Sequence, residues 1–295
     1  MDTKTLDIRP DWTKQKYIDD HRIDLSTNVC FDAAIPTYEF DMNRYCDLSK
    51  SYRILSEYHE VYNRQICIGL GLSELIMRIM QLIHDKGWSM NSHHNSWQPI
   101  EMCRKLYKIP HGYDVLYLSN PHGTNGTKID DYSQYLKDYK LVIIDEAYAD
   151  FCEVPKVKLG QPDVLVLKTM SKSLALPGIR FGWAIGHEML ILELQNMRPA
   201  HVSIGGIDEN LVSMLDEIPH HVKRMNQTKA YIEKTYQCIP SHGNYVLIKD
   251  YDKFTKQFHL KEFEDHARMA LINRSMVTKN ALNKEHPFFD RIKSD

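Results

Sequence analysis

No charge of one sign dominates this 295-residue chain: 37 Lys and Arg stand against 39 Asp and Glu, a net charge of −2. That balance gives no general attraction to nucleic acid or to an anionic membrane surface, and neither is expected as a partner. Cysteine is sparse. None of Cys30, Cys46, Cys67, Cys103, Cys152 and Cys238 forms a CxxC pair, which excludes zinc ribbons and thioredoxin-type redox motifs. Six thiols in a chain this long make no disulfide framework either. No uninterrupted apolar run approaches the ~20 residues of a membrane span. The opening stretch MDTKTLDIRPDWTKQK has no apolar centre, so no signal peptide is expected and a cytoplasmic location is. No period of roughly 20 to 50 residues repeats, which sets solenoids aside.

What is present is ordinary globular material, 43% hydrophobic and 26% charged, in a length that suits one large domain or two unequal ones. Leu72, Leu75, Ile76, Ile79, Met80 and Ile83 fall at spacings of three and four, and predict a helix that ends at Gly87. Three short apolar runs follow: Val115–Leu118, Leu141–Ile144 and Val164–Leu167. Each is bounded by polar residues, as buried parallel strands are, and a helical stretch around Asp130–Leu136 separates the first two. Strand, loop, helix, strand predicts an α/β sheet. Past residue 200 the pattern is mostly helical from Ile207 to Tyr236, then a strand at Asn244–Ile248. The expected organisation is an N-terminal arm over 1–24, a large domain over 25–200 and a small C-terminal domain over 201–295.

Chemistry in such sheets collects where strands end. The polar residues after the three runs are Asn120, Asp145 with Tyr148, and Lys172. Lys172 stands in Thr169-Met170-Ser171-Lys172, with hydroxyls at alternate positions that suit a phosphate. Arg180 follows Pro177-Gly178, a turn that returns a guanidinium toward the same loop. Asp145 ends a strand buried on both faces, where an unpaired carboxylate is costly. An acid, an amine and a phosphate cradle together suggest pyridoxal 5′-phosphate, whose aldehyde needs a lysine and whose ring nitrogen needs an anion.

These residues resemble a family. TMSKSLALPGIRFG is similar to the lysine loop of fold type I pyridoxal-phosphate enzymes, aminotransferase class I/II, and IIDEAYADF to their aspartate strand. With NRYCD, GLGLSEL and HGNYVLIK, the resemblance is nearest to the histidinol-phosphate aminotransferase branch and runs in order from Asn28 to Asn244. It implies a three-layer aspartate aminotransferase-like fold with a mostly parallel sheet and a smaller C-terminal α/β domain. It implies that Lys172 binds the cofactor aldehyde and shuttles a proton, that Asp145 holds the ring nitrogen protonated, and that Tyr148 bonds the ring oxygen. Ser171, Arg180 and Thr169 would bind the phosphate together with the helix start at Gly71, Leu72 and Ser73. Trp97 would stack on the ring. Tyr45 would reach the cofactor phosphate of the other subunit of a homodimer. The substrates implied are an amino acid or phosphorylated amino alcohol as donor and a 2-oxo acid as acceptor.

The chain also departs from the family pattern. After Val115–Leu118 the loop reads SNPHGTNGT, and two registers are open. Aligned on Gly126, the family's ring-contacting asparagine falls on Gly123 and is lost; aligned on Asn120-Pro121, Asn120 keeps the role. The longer separation to Asp145 favours Asn120. Only HGYD separates LYKIP from the VLYL strand, too little for a further crossover helix, so the sheet edge should be simplified. For the substrate, Arg274, Arg291 and Asn28 are the candidates. His93-His94 and His220-His221 lack a carboxylate at ligand spacing, and no metal is expected. Rival readings are a decarboxylase of the threonine-phosphate type on the same scaffold, and a cofactor-binding homologue with weak catalysis.

Overall fold

The structure, a computed structural model, describes residues 23–26, 29–30, 36–41, 43–94, 96–97, 99–199, 205–255 and 258–271. A short strand β1 (Ile23–Asp24) precedes helix α1 (Leu48–His59). Asp47 caps α1 by accepting from the Ser49 and Lys50 N–H groups, and Glu60 ends it in the left-handed region. Strand β2 (Ile66–Leu70) runs directly into α2 (Gly71–Asp85), where Leu75, Ile76, Ile79, Met80 and Ile83 are buried as their spacing predicts. There follow β3 (Met90–Ser92), α3 (Ile100–Leu106), β4 (Val115–Ser119), α4 (Ser133–Asp138) and β5 (Leu141–Asp145). Next come β6 (Val164–Thr169), α5 (Met170–Ser173), β7 (Phe181–Gly186) and α6 (Glu188–Asn196). The three apolar runs are thus β4, β5 and β6. The C-terminal part holds α7 (Ile207–Thr235), β8 (Cys238–Ile239), β9 (Tyr245–Ile248), β10 (Phe258–His259), β11 (Lys261–Glu262) and β12 (Ala267–Ala270).

The central sheet has the order β2-β7-β6-β5-β4-β3. Strands β3 to β6 are mutually parallel, while β7 runs antiparallel to both β6 and β2. Alternate strand residues serve opposite faces. Cys67, Tyr117, Ile143, Leu165, Leu167 and Ala184 pack under α2, α3 and α6. The other face meets α4 through Leu116, Leu118, Val142 and Ile144, and meets α1, α5 and α7 through Ile66, Ile68, Phe181 and Trp183. Three layers result. Strand β3 is three residues long and closes the sheet, and α3 alone carries the chain across to β4, which is the simplified edge that the short spacer implies.

A second sheet, β11-β12-β9-β8, is antiparallel throughout. Beside it, β1 and β10 form a separate two-stranded parallel sheet; Leu25 N–H donates to His259 O, and the Ala270 N–H of β12 donates to Leu25 O. Residues 23–25 therefore pack with the C-terminal strands, and the expected junction between arm and large domain at 24/25 falls inside this pairing. Residues on both sides of position 200 also share one core, where Ile54, Ile68 and Trp183 cluster with Leu211, Met214, Val246 and Met269.

Candidate active site

In register, Ser119 lies opposite Asp145 and Asp145 opposite Leu167, so β4 and β5 end together and β6 runs two residues further, to Thr169. Tyr117, Ser119, Asp145 and Thr169 share the parity of Ile143 and Leu167, and so face the α2 side. Asp145 is 7% exposed. One carboxylate oxygen accepts the Tyr117 hydroxyl at 2.6 Å and the other accepts the Ala147 N–H at 3.0 Å. Burial pushes this carboxyl above its ordinary range, and the two hydrogen bonds pull it back. The Ser119 hydroxyl beside it is buried without a partner at hydrogen-bond distance.

Strand β6 stops at Thr169, whose hydroxyl accepts the Ser171 N–H at 3.1 Å and so starts the single turn of α5. The same hydroxyl donates to Phe181 O at 2.8 Å and lies 2.9 Å from Ser171 Oγ. Lys172 projects from this turn, and its Nζ stands 5.7 Å from the centre of the Tyr148 ring. The turn at Pro177–Ile179 leads to Arg180, left-handed at φ 47°. Its guanidinium donates to Pro177 O at 2.7 Å and reaches Leu70 O at 3.4 Å, over the start of α2. Gly71 is needed there: its φ is +73°, and a Cβ would collide with the Arg180 guanidinium. The α2 start is held from below. Glu74 accepts the Leu70 N–H at 3.1 Å and pairs at 2.6 Å with buried Arg78, which also donates to Ile68 O and Leu194 O.

The loop after β4 differs from the favoured register. Asn120 is fully buried; its amide donates to Ile129 O at 2.8 Å and to the Tyr132 hydroxyl at 2.6 Å, and its carbonyl accepts the Ile129 N–H at 3.0 Å. That side chain is committed to the interior and does not face Tyr148. The loop position that does is Gly123, where a Cβ would lie 2.7 Å from the Tyr148 ring. The Gly126 register thus describes the loop geometry, and the side chain at the ring-facing position is missing. The Asn120–Pro121 peptide is cis.

The C-terminal sheet clamps this loop. His242 N–H donates to Gly126 O, the Tyr245 hydroxyl to His122 O, and Arg268 to Gly123 O at 3.1 Å and Ser26 O at 3.1 Å. The Tyr245 ring meets Tyr148 edge-on at 6.2 Å, and the Arg268 guanidinium lies 5.5 Å from the Tyr245 ring centre. No carboxylate pairs with Arg268 among the described residues, and burial lowers its pKa. Sequence reasoning missed Arg268. Its signal was faint: one Arg between the apolar residues of Ala267-Arg268-Met269-Ala270.

Trp97 lies half-buried just before α3, against the core under α2. Its neighbour Ser96 donates to Tyr117 O at 2.8 Å, which ties that segment to β4. Leu72 and Ser73 follow Gly71 in the first turn of α2. Tyr45 is 70% exposed, in a segment that Arg44 fastens to Asp208 and Glu209. Asn28, Arg274 and Arg291 lie outside the described residues. His93 bonds the Tyr135 hydroxyl at 2.9 Å, and burial, with His94 and His122 near, holds it down to about 4. Among the described residues no three His, Cys, Asp or Glu side chains cluster as metal ligands, and no helix is long and apolar enough to cross a membrane.

A family model described as aminotransferase class I and II matches residues 88–277. Among curated proteins, the histidinol-phosphate aminotransferase of Akkermansia muciniphila is 30% identical over 164 residues, 49% of this chain and 44% of that protein. That of Brachyspira hyodysenteriae is 25% identical over 251 residues, 73% and 70% of the two chains. The match spans less than half the length of the first such relatives. Among solved structures, a putative histidinol-phosphate aminotransferase from Erwinia carotovora atroseptica superposes with a TM-score of 0.69 at 20% identity, over 86% of this chain and 92% of that one. The L-threonine-O-3-phosphate decarboxylase of Porphyromonas gingivalis gives 0.63 at 13%, over 92% and 96%. These likenesses show the fold: α/β, with a mixed and mostly parallel central sheet, shortened relative to full-length members.

Proposed function

The chain belongs to the aminotransferase class I and II family, and from that premise we propose that it binds pyridoxal 5′-phosphate at Lys172 and transfers an amino group to a 2-oxo acid. The observation that carries the reading is one meeting point: the buried Asp145 carboxylate, the Lys172 amine and the Arg180 guanidinium over Gly71, all at the ends of adjoining strands. The charges suit the cofactor, with Asp145 on one side and Lys172 and Arg180 on the other. The Arg180 donors and the first N–H groups of α2 form a cradle for a phosphate, with the Thr169 and Ser171 hydroxyls on the facing loop. The buried Ser119 hydroxyl without a partner lies next to Asp145.

When bound, the cofactor supplies an aldehyde for an amino group and an electron-withdrawing ring for the carbon that carries it. Asp145 Oδ would keep the ring nitrogen protonated. Tyr148 would bond the ring oxygen alone, since Gly123 offers no side chain there. Lys172 Nζ would accept the proton released at the substrate carbon and return it. Trp97 would cover one ring face. Arg268 is the cation we propose for an anionic group of the substrate, because its guanidinium stands beyond Tyr148 and Tyr245 and no carboxylate among the described residues pairs with it.

The donor class that fits the relatives' names is an amino acid or a phosphorylated amino alcohol of the histidinol-phosphate kind. A biosynthetic, cytoplasmic homodimer with Tyr45 completing its partner's site belongs to the same reading. The test is an amine screen on the cofactor-loaded protein, following the bound-aldehyde absorbance and the products. Loss of that absorbance with an equivalent of oxo product supports the proposal. Release of carbon dioxide instead would favour the decarboxylase reading, and no response to any donor would contradict both.

A further inference from the structure

Tyr117 interrupts an otherwise aliphatic strand. It is fully buried, sits two residues before the end of β4, and reaches past Ser119 to the carboxylate of Asp145 on the neighbouring strand at 2.6 Å. Its backbone is fixed as well, since Tyr117 O accepts both the His93 N–H and the Ser96 hydroxyl. We infer that Tyr117 is a positioning residue for Asp145, spending its only proton on the carboxylate and thereby fixing both the charge and the aim of that group. The inference deepens the proposed cofactor site and rests on that reading.

An N–H can only donate, so Ala147 makes one Asp145 oxygen an acceptor. The other oxygen faces a phenol, and the nearby Ser119 is itself a hydroxyl with a proton to place. With Asp145 ionised, the phenol proton lies on a carboxylate oxygen. A protonated Asp145 adds a further O–H beside the phenol and turns the charge-assisted bond from Tyr117 into a weaker neutral one, so the contact favours the ionised form. Burial alone would drive Asp145 toward its neutral acid, and Tyr117 opposes that. The phenol is no competing acid, because burial beside Asp145 drives its own pKa well above the ordinary value. The other charges near Asp145 are Glu146, which disfavours its ionisation, and Lys172, which favours it. Glu146 is itself held by Lys168 at 2.5 Å.

The test titrates the Asp145 carboxyl by 13C NMR in cofactor-free protein, with the resonance assigned by its loss in Asp145→Asn. Tyr117→Phe keeps the ring and removes the proton donor. Its midpoint should rise by about one pH unit or more relative to wild type. In loaded protein, the ring-nitrogen 15N signal of labelled pyridoxal phosphate should report deprotonation at lower pH, with about tenfold weaker cofactor binding. An Asp145 midpoint equal to wild type overturns the inference. If Tyr117→Phe does not fold, fluorinated tyrosine placed at position 117 decides. Its more acidic phenol donates more strongly, so a lowered midpoint supports the assignment and an unchanged one overturns it. Wild-type protein that fails to bind pyridoxal phosphate would count against the proposed function alone, because the carboxyl titration needs no cofactor.

Discussion

One methyl group separates the cradle at Gly71 from a blocked one. Alanine there must hold a left-handed backbone, a strain of roughly 1–2 kcal/mol, and its Cβ must displace the Arg180 guanidinium. Gly71→Ala should therefore fold but bind pyridoxal phosphate about tenfold or more weakly, the scale of one lost charge-assisted hydrogen bond. Titration of cofactor into the two proteins measures it, and equal affinities would show that the phosphate binds elsewhere. The same scale shows what was legible in the sequence. Lys172 and Asp145 stand out because each follows a buried apolar run, where a charged side chain needs a purpose, and Arg180 because a Pro-Gly turn precedes it. Asn120 misled because spacing along the chain does not say which way a loop side chain turns. In the structure Ile129 and Tyr132 claim its amide. Arg268 was hidden because its partners, Gly123 and Ser26, lie in distant parts of the sequence.

At the scale of elements, continuous apolar runs announced β4, β5 and β6, the 3-and-4 spacing announced α2, and the helical pattern past residue 200 announced α7. The two-residue strands β8, β10 and β11 carry no such pattern, since pairing partners rather than local propensity make them strands. One contact between elements is sensitive to acid. His59 ends α1 and accepts the Trp183 indole N–H of β7 at 3.0 Å. Burial, with Lys168 adding repulsion, pulls its pKa down to about 3. An acceptor nitrogen must be unprotonated, so the folded form prefers neutral His59 while the unfolded chain protonates near the ordinary value of about 6.5. The sign follows: this contribution to stability is complete above pH about 6.5 and is lost as pH falls toward about 3. Urea midpoints measured across that window should decline with acid in wild type and decline less in His59→Phe. Parallel curves would mean that His59 is protonated in the folded protein.

At the scale of the whole molecule, Arg268 of the C-terminal sheet bonds both Gly123 O in the β4 loop and Ser26 O near the N-terminus, so it ties together chain segments far apart in sequence. No local pattern carries that information. Tyr45 stands 70% exposed, and the proposed reading gives it to the cofactor site of a second copy. Tyr45→Phe should weaken cofactor binding roughly 10- to 100-fold. Mixing Tyr45→Phe with Lys172→Ala subunits should restore a fraction of full-affinity active sites, because a mixed dimer concentrates both defects in one site. A monomer by light scattering, or no recovery on mixing, would remove Tyr45 from the partner's site. The central claim, that the fold assembles its strand ends around one covalent attachment point, has a more direct measurement. Borohydride reduction of the cofactor-loaded protein, followed by peptide mass spectrometry, should place the pyridoxyl mass on Lys172. A label on Lys168, which faces the opposite side of the sheet and is paired with Glu146, or no label at all, would contradict it.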